Sequence, residues 1–404
     1  MLVVSVLKDC RSLLEKTALK VGFLVLFAVL MASGAASAAQ SAKAKQSAPQ
    51  DLTLPPHPLL LMDVNTGNVL YHQKGNQKWY PASLTKLMTA YVTFKAIAAG
   101  EISEDSVVTI SAHALSYPPS KMGFKVGTQL TMGNALKMML VKSANDIAAA
   151  IGERVAGSEP DFARRMNQEA ARLGMRASHF VNANGLYAQG QTSSARDMAV
   201  LARQILLEFP QYRSLFQIPS IRHGKRVLKS YNSLLETFRG ANGMKTGFVC
   251  ASGYNIVASA KRGNRQLVAV VMGAPSSQWR SETAAFLLTQ GFTRSDMGSG
   301  SGTPVTNEAA FGPISRPDDM RSEICPNGQP KWIGQVNFTK SYLSPRFKIM
   351  DPVRVTAGIP KRAVKLPVQL ASLPMVAPIE KSGLVAKTKA GKVVSLERLP
   401  LPKP

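Results

Sequence analysis

Apolar positions recur with two different periods along this chain. In PLLLMDVNTGNVLYHQ, residues 58–73, two apolar runs flank Asn65-Thr66-Gly67, the pattern of a β-hairpin. From 83 to 100 the period changes. Leu84, Leu87, Met88, Tyr91, Phe94 and Ile97 recur at helical spacing, and Gly100 supplies a C-cap. Residues 132–155 and 160–173 also carry a helical pattern, as does 194–209, which Pro210 ends. FVCASGYNIVASAKRGNRQLVAVVMGA, 248–274, then predicts two strands joined by a turn at Lys261-Arg262-Gly263-Asn264. A closing helix follows over 281–292. Strands at both ends with helices between them predict an α+β fold whose single antiparallel sheet joins the two ends of the domain.

Both flanks lack this patterning. Residues 1–20 carry Lys8, Arg11, Lys16 and Lys20, and an uninterrupted apolar run, VGFLVLFAVLMA, follows over 21–32. With Ala36-Ser37-Ala38 fitting a small-residue cleavage site, residues 1–38 read as a secretory signal peptide. The run is shorter than the roughly 20 apolar residues a membrane span needs. Residues 39–50, AQSAKAKQSAPQ, read as a linker, which leaves 51–295 as the folded domain. Beyond it SDMGSGSGTP is rich in Gly and Ser, prolines recur to the end, and 16 Lys+Arg face 7 Asp+Glu from residue 301 onward. VNFTKSYL, 336–343, is the one candidate strand there. We expect a basic, Pro-rich extension over 296–404, largely disordered, with a second small β-domain as the alternative.

Charge and cysteine usage narrow the partners. The net charge of +25 favours anionic partners. An exported chain does not meet intracellular nucleic acid, so cell-wall polymer and anionic lipid remain. The expected location is the periplasm or the outer face of the cytoplasmic membrane, with the basic tail in peripheral contact with membrane or wall. Cys10 lies in the signal segment, leaving Cys250 and Cys325. They can pair in an oxidising compartment or remain one buried and one exposed thiol, and sequence does not give their separation in space. The five histidines, at 57, 72, 113, 179 and 223, show no metal-ligand spacing, so no metal and no cofactor are expected.

The candidate chemistry begins in PASLTKLMTA, residues 81–90, where Ser83 and Lys86 stand three positions apart on one helix face. S-x-x-K alone is weak, and Ser5-Val6-Leu7-Lys8 matches it by accident. Ser143-Ala144-Asn145 adds S-x-N, itself weak, since Ser230-Tyr231-Asn232 also matches. Lys245-Thr246-Gly247 adds K-T-G at the head of a predicted strand. The order of the three motifs is what carries information. A serine hydroxyl is a poor nucleophile until a base takes its proton. A desolvated lysine among other cations can be neutral and serve as that base. Ser83 is thus the candidate nucleophile, Lys86 the general base and Ser143 a proton relay. Asn145 can hold a peptide group. Lys245 adds positive charge, Thr246 can bond a substrate carboxylate, and Gly247 lets substrate lie close. Backbone N–H groups at Ser83 and just after Gly247 are candidate oxyanion donors. Asp146 and Asp197 read as local caps or helix ion pairs.

With these motifs the chain resembles the low-mass penicillin-binding proteins that are D-alanyl-D-alanine carboxypeptidases. GQTSSARDMA (190–199), KTGFVCASGYNIVASA (245–260) and LVAVVMGAPSSQWR (267–280) extend the likeness, which covers roughly residues 51–295. It implies a penicillin-binding protein/β-lactamase-like fold with a helical subdomain. It also implies an exported serine enzyme that removes terminal D-alanine from peptidoglycan stem peptides, is acylated by β-lactams at Ser83 and needs no metal. Arg280 falls where the family has an arginine near the substrate carboxylate, and Phe248 borders the same site. Asn184 stands where several relatives carry His before Gly-Leu, and Phe248 replaces a polar residue that some carry after K-T-G. The tail LVAKTKAGKVVSLERLPLPKP lacks the C-terminal amphipathic helix of many relatives. A D,D-endopeptidase would use the same residues. A β-lactamase of the class A type would need an E-x-x-L-N motif, which is absent. A non-catalytic wall-binding protein would have no need of Lys86 and Lys245.

Overall fold

Alternate residues of the central strands face two different cores. The computed structural model describes residues 52–293, 302–331 and 336–359. The expected signal segment, the linker and the stretch from 360 to 404 lie outside the described residues.

Strands β1 (Leu59–Asp63) and β2 (Asn68–Gln73) form the expected hairpin. A 3-10 turn at Ala82–Leu84 leads into α1 (Thr85–Ala98). Strand β3 (Val107–Thr109), helix α2 (Ala112–Ser116) and strand β4 (Gln129–Thr131) follow, and β3 pairs with β4. Helices α3 (Met132–Val141), α4 (Asn145–Ala156), α5 (Glu159–Arg172) and α6 (Ala195–Glu208) come next. Of these, α2, α3, α5 and α6 start at a Ser or Thr whose side chain accepts from the N–H three residues on. A hairpin of β5 (Ser220–His223) and β6 (Arg226–Lys229) and the short α7 (Leu234–Thr237) lead to three long strands. These are β7 (Ala241–Val249), β8 (Gly253–Arg262) and β9 (Arg265–Ala274), followed by α8 (Ser277–Thr293). The extension adds β10 (Thr303–Pro304), α9 (Arg321–Ile324) and β11 (Val353–Arg354).

The main sheet runs β10-β2-β1-β9-β8-β7 with every neighbour antiparallel. Leu60 and Met62 of β1 face a core shared with Leu87, Met88 and Tyr91 of α1. Leu59 and Leu61 face a second core with Ala284 and Leu288 of α8. In β9, Val268, Val270 and Met272 face the first core, and Leu267, Ala269 and Val271 the second. Burial on both faces hides the period of two, so these strands read as unbroken apolar runs. Each fully buried Leu or Val contributes about 1.5–3 kcal/mol, so both layers hold the sheet. Helix α8 lies close to it. A methyl at Gly291 would come 2.7 Å from Leu267 and 2.9 Å from Leu61.

Two elements differ from the sequence pattern. The helix expected over 132–155 is broken at Lys142-Ser143-Ala144, where Ser143 takes φ +60°. The two strands expected over 248–274 are β8 and β9, joined at the expected turn, but a further strand, β7, precedes them and holds Lys245-Thr246-Gly247 within it rather than at a strand's head. Ala241-Asn242-Gly243 has no apolar alternation, and pairing with β8 through a bulge recruits it into the sheet.

Over its described residues the extension is neither disordered nor a second domain, contrary to the composition. It is irregular, but its polar groups find partners on the domain. β10 pairs with β2 and β11 with β5. The Asn76 amide donates to the carbonyls of Glu308 and Gly312, both at 2.9 Å. Val305, Phe311, Met320, Ile324 and Val355 join the first core. VNFTKSYL is no strand. Val336 exchanges two hydrogen bonds with the Gln278 side chain, and Glu282 accepts from Ser341 Oγ and Tyr342 N.

Candidate active site

Ser83 sits in the turn that starts α1, after Ala82 at φ +48°. Buried Leu84, Leu87 and Met88 fix that turn in the core. One turn on, Lys86 is fully buried. Its Nζ lies 3.0 Å from Ser83 Oγ, 2.8 Å from Asn145 Oδ1 and 2.5 Å from the Asn184 carbonyl oxygen. Burial pushes the Lys86 amine well below the usual lysine range, and the charge of Lys245 adds to this while Asp146 opposes it.

Asn145 is the first residue of α4, just past the helix break. Its Nδ2 donates to the Pro118 carbonyl at 2.9 Å and its backbone N–H to Ser120 at 2.7 Å, which aims its Oδ1 at Lys86. Asp146 points elsewhere. Its carboxylate accepts from the backbone N–H groups of Met122, Gly123 and Ile147 and so ties down the loop that carries Ser120. Asp197 is likewise local, accepting from Ala177 N, Ser178 Oγ and Arg196.

From the other side comes β7, the edge of the sheet. The Lys245 amine reaches Ser143 Oγ at 3.0 Å and the Thr246 carbonyl at 2.8 Å. Burial, reinforced by Arg280, lowers it to about 7. Arg280, on α8, donates to the Tyr231 carbonyl at 3.1 Å, while its buried Nε has no hydrogen-bond partner in the protein. Burial lowers the guanidinium to about 10, which leaves it a cation at neutral pH. Gly247 explains the close approach of strand and turn. A methyl there would come 2.9 Å from the Pro81 oxygen and 3.0 Å from the Ser83 nitrogen.

Ser83, Ser143, Asn145, Thr246, Gly247, Phe248 and Arg280 therefore line one open cleft of ≈ 320 Å³, with Lys86 and Lys245 buried behind it. Ser120, Leu186, Tyr231 and Tyr254 are among the other residues of its walls. None of these four has a motif of its own. Tyr231 belongs to Ser230-Tyr231-Asn232, the chance S-x-N match. Its carbonyl holds Arg280, and Asn232 Nδ2 donates to the Gly243 carbonyl. The Asn184 carbonyl also escaped the sequence, because a backbone acceptor leaves no letter. Its loop is pressed on the Ser83 turn, where a methyl at Gly185 would come 1.9 Å from the Ala82 oxygen. Phe248 packs on Tyr254, ring centroids 4.4 Å apart. Just past β7, Cys250 is bonded to Cys325, with Cα atoms 5.6 Å apart, so the two thiols pair.

The sequence profile of the D-alanyl-D-alanine carboxypeptidase family matches residues 43–276. The chain belongs to that family. D-alanyl-D-alanine carboxypeptidase DacD of Salmonella typhimurium is 38% identical over 251 residues, covering 60% of this chain and 64% of that protein. DacF of Bacillus subtilis is 33% identical over 243 residues, covering 58% and 61%. Among solved structures, penicillin binding protein 6B from Escherichia coli superposes with a TM-score of 0.57 at 35% identity, covering 61% of this chain and 80% of that one. Penicillin-Binding Protein D2 from Listeria monocytogenes, in its cefotaxime-bound form, gives 0.55 at 29%, covering 60% and 99%. These neighbours share the penicillin-binding protein α+β fold. The chain spans about three fifths of the length of the curated carboxypeptidases it matches, and its extension beyond residue 276 lies outside the family profile.

Proposed function

We propose that the protein is a serine D-Ala-D-Ala carboxypeptidase that removes the terminal D-alanine from peptidoglycan stem peptides through an acyl-enzyme on Ser83. The observation that carries this reading is the buried Lys86 amine 3.0 Å from Ser83 Oγ. A neutral amine has two N–H donors and one lone pair. Asn145 Oδ1 and the Asn184 carbonyl are both acceptors, so they take the two N–H groups and leave the lone pair facing the serine hydroxyl. Lys86 removes the Ser83 proton as Oγ bonds the peptide carbonyl carbon. The N–H groups of Ser83 and Phe248 receive the developing oxyanion. The C–N bond then breaks, and the leaving D-alanine amine takes a proton relayed through Ser143, which Lys245 orients. Water hydrolyses the ester and regenerates Ser83.

Substrate lies along the free edge of β7, beside Gly247 and Phe248, as an added strand. Its terminal carboxylate meets Thr246, with Lys245 and Arg280 supplying positive charge. The same site is acylated by β-lactams. The likeness to the cefotaxime-bound neighbour supports this. The enzyme acts after export, in the periplasm or on the outer face of the cytoplasmic membrane, and its basic tail makes peripheral contact with anionic lipid or wall.

Incubation with fluorescent penicillin, beside Ser83→Ala, tests the reading. Labelled wild type and unlabelled variant are expected. An unlabelled wild type overturns the acyl-enzyme, and a labelled variant overturns the nucleophile. Products from a pentapeptide and from a cross-linked dimer separate carboxypeptidase from D,D-endopeptidase.

A further inference from the structure

Lys86 leans on a carbonyl that no side chain of the three motifs supplies. Its Nζ donates to the Asn184 oxygen at 2.5 Å, and a backbone acceptor points wherever its loop is held. Whatever fixes residues 182–186 therefore also fixes the base. Gln191 ties the two ends of that loop, accepting from Asn182 N at 3.0 Å and donating to the Leu186 carbonyl at 3.2 Å. The middle, next to Asn184, is tied from two helices. Thr89 Oγ1, on α1 one turn past Lys86, donates to the Ala183 carbonyl at 2.6 Å. On the other side Ala183 N donates to Glu159 Oε1 at 2.9 Å.

Glu159 opens α5, where an acidic side chain can favour the helix from the solvent side. Here it turns inward instead, and its side chain is only 5% exposed. Carboxylates are seldom buried without partners, and this one has three. Besides the bond from Ala183 N, Oε2 accepts from Tyr117 Oη at 2.5 Å and stands 2.6 Å from His113 Nε2. His113 of α2 and Tyr117 just past it thus hold one carboxylate oxygen and leave the other to the loop. None of the three lines the cleft, so they act on the reaction only through what they hold. One line of contacts leads from α2 through Glu159 and the Ala183-Asn184 backbone to the Lys86 amine.

We propose that Glu159 is a positioning residue for acylation: through the Ala183 N–H it sets the Asn184 carbonyl against Lys86 and so keeps the lone pair of the amine on the Ser83 hydroxyl. Without that bond the Ala183 N–H is buried and unpaired, the loop shifts to satisfy it, and Lys86 loses one of the two acceptors that orient it. What matters is the reach of the Glu159 oxygen rather than its charge. The role rests on the carboxypeptidase reading above.

Two substitutions separate reach from charge. Glu159→Gln keeps the length and an acceptor for Ala183 N without the charge. Glu159→Asp keeps the charge at the helix start but falls one methylene short. Acylation by penicillin should stay within about threefold of wild type in Glu159→Gln and fall roughly 10- to 100-fold in Glu159→Asp, the scale of a small misplacement of a reacting group. In a Lys86→Met background Glu159→Asp should lower the remaining rate no further, because the carbonyl then has no amine to hold. Tyr117→Phe, which frees Oε2 and leaves α5 intact, should slow acylation by roughly three- to tenfold, again only where Lys86 is present. Circular dichroism shows the fold of each variant. The role is overturned if folded Glu159→Asp acylates like wild type, if Glu159→Gln falls as far as Lys86→Met, or if either loss is as large without Lys86 as with it. A wild type that penicillin does not label overturns the enzymatic reading first, and the positioning role with it.

Discussion

Lys86 Nζ stands 3.0 Å from Ser83 Oγ while two fixed acceptors, Asn145 Oδ1 and the Asn184 carbonyl, hold its remaining hydrogens. Lys86→Met keeps the buried volume and removes the base. Penicillin acylation should fall by about 10²–10⁴-fold, the usual worth of a general base. Lys86→Arg should not restore it, because a guanidinium does not give up its proton at these pH values. Stopped-flow acylation of the two variants, with circular dichroism to show the fold, checks both expectations.

Lys245 gives stability a pH dependence whose sign is fixed. Its amine is lowered to about 7 in the fold and returns to the ordinary lysine range on unfolding. Below about pH 7 both states are charged and the cost of burying the charge is fully present. Between that pH and the unfolded value the unfolded chain binds more protons, so stability rises with pH. Each unit of displacement is worth about 1.4 kcal/mol, so the cost at low pH is several kcal/mol. Lys245→Met should therefore be more stable than wild type at pH 6, with the gap closing between pH 7 and 10 in urea unfolding.

Gly247→Ala tests the contact between strand and nucleophile turn. The added methyl meets backbone atoms of Pro81, Ser83 and Leu84 at about 3 Å, none of which is a flexible side-chain end. β7 must move outward, which widens the distance across the oxyanion position. Loss of one such donor costs about 10²–10³-fold in kcat. The melting temperature should change by only a few degrees, since the same strand remains paired with β8. An active variant would place the oxyanion donors elsewhere.

The disulfide closes a loop of 75 residues. Chain entropy assigns such a link about 4 kcal/mol. Reduction, or Cys250→Ser with Cys325→Ser, should lower the melting temperature by on the order of 10 °C for a domain of this size. Calorimetry with and without reductant measures it.

The sequence made the site's residue types legible because three motifs in fixed order leave few other readings. Its geometry was less legible. Lys142-Ser143-Ala144 sits inside an apolar pattern that runs on as one helix, yet the chain turns there and starts again at Asn145. No periodicity announces that break. It is a loop packed against Pro118 and Ser120 that holds the new helix start. The first turn of β7 was hidden for the opposite reason. Ala241-Asn242-Gly243 has no strand pattern and becomes strand by pairing with Ser259 and Ala260. In the described part of the extension, composition misled. Its prolines and charges read as disorder, but Val305, Phe311, Met320, Ile324 and Val355 are spaced widely enough to escape any periodic count and still bury against the domain.

The sheet's strand order bears on when the site can form. β1 lies between β2 and β9, with Leu59 opposite Val271, so its second partner emerges only about two hundred residues later. Lys245 and Gly247 arrive almost as late. A growing chain thus carries Ser83 and Lys86 for about 160 residues of synthesis without a strand to close the cleft over them. The Ser83–Lys86 pair is written early, and the wall that faces it is added last.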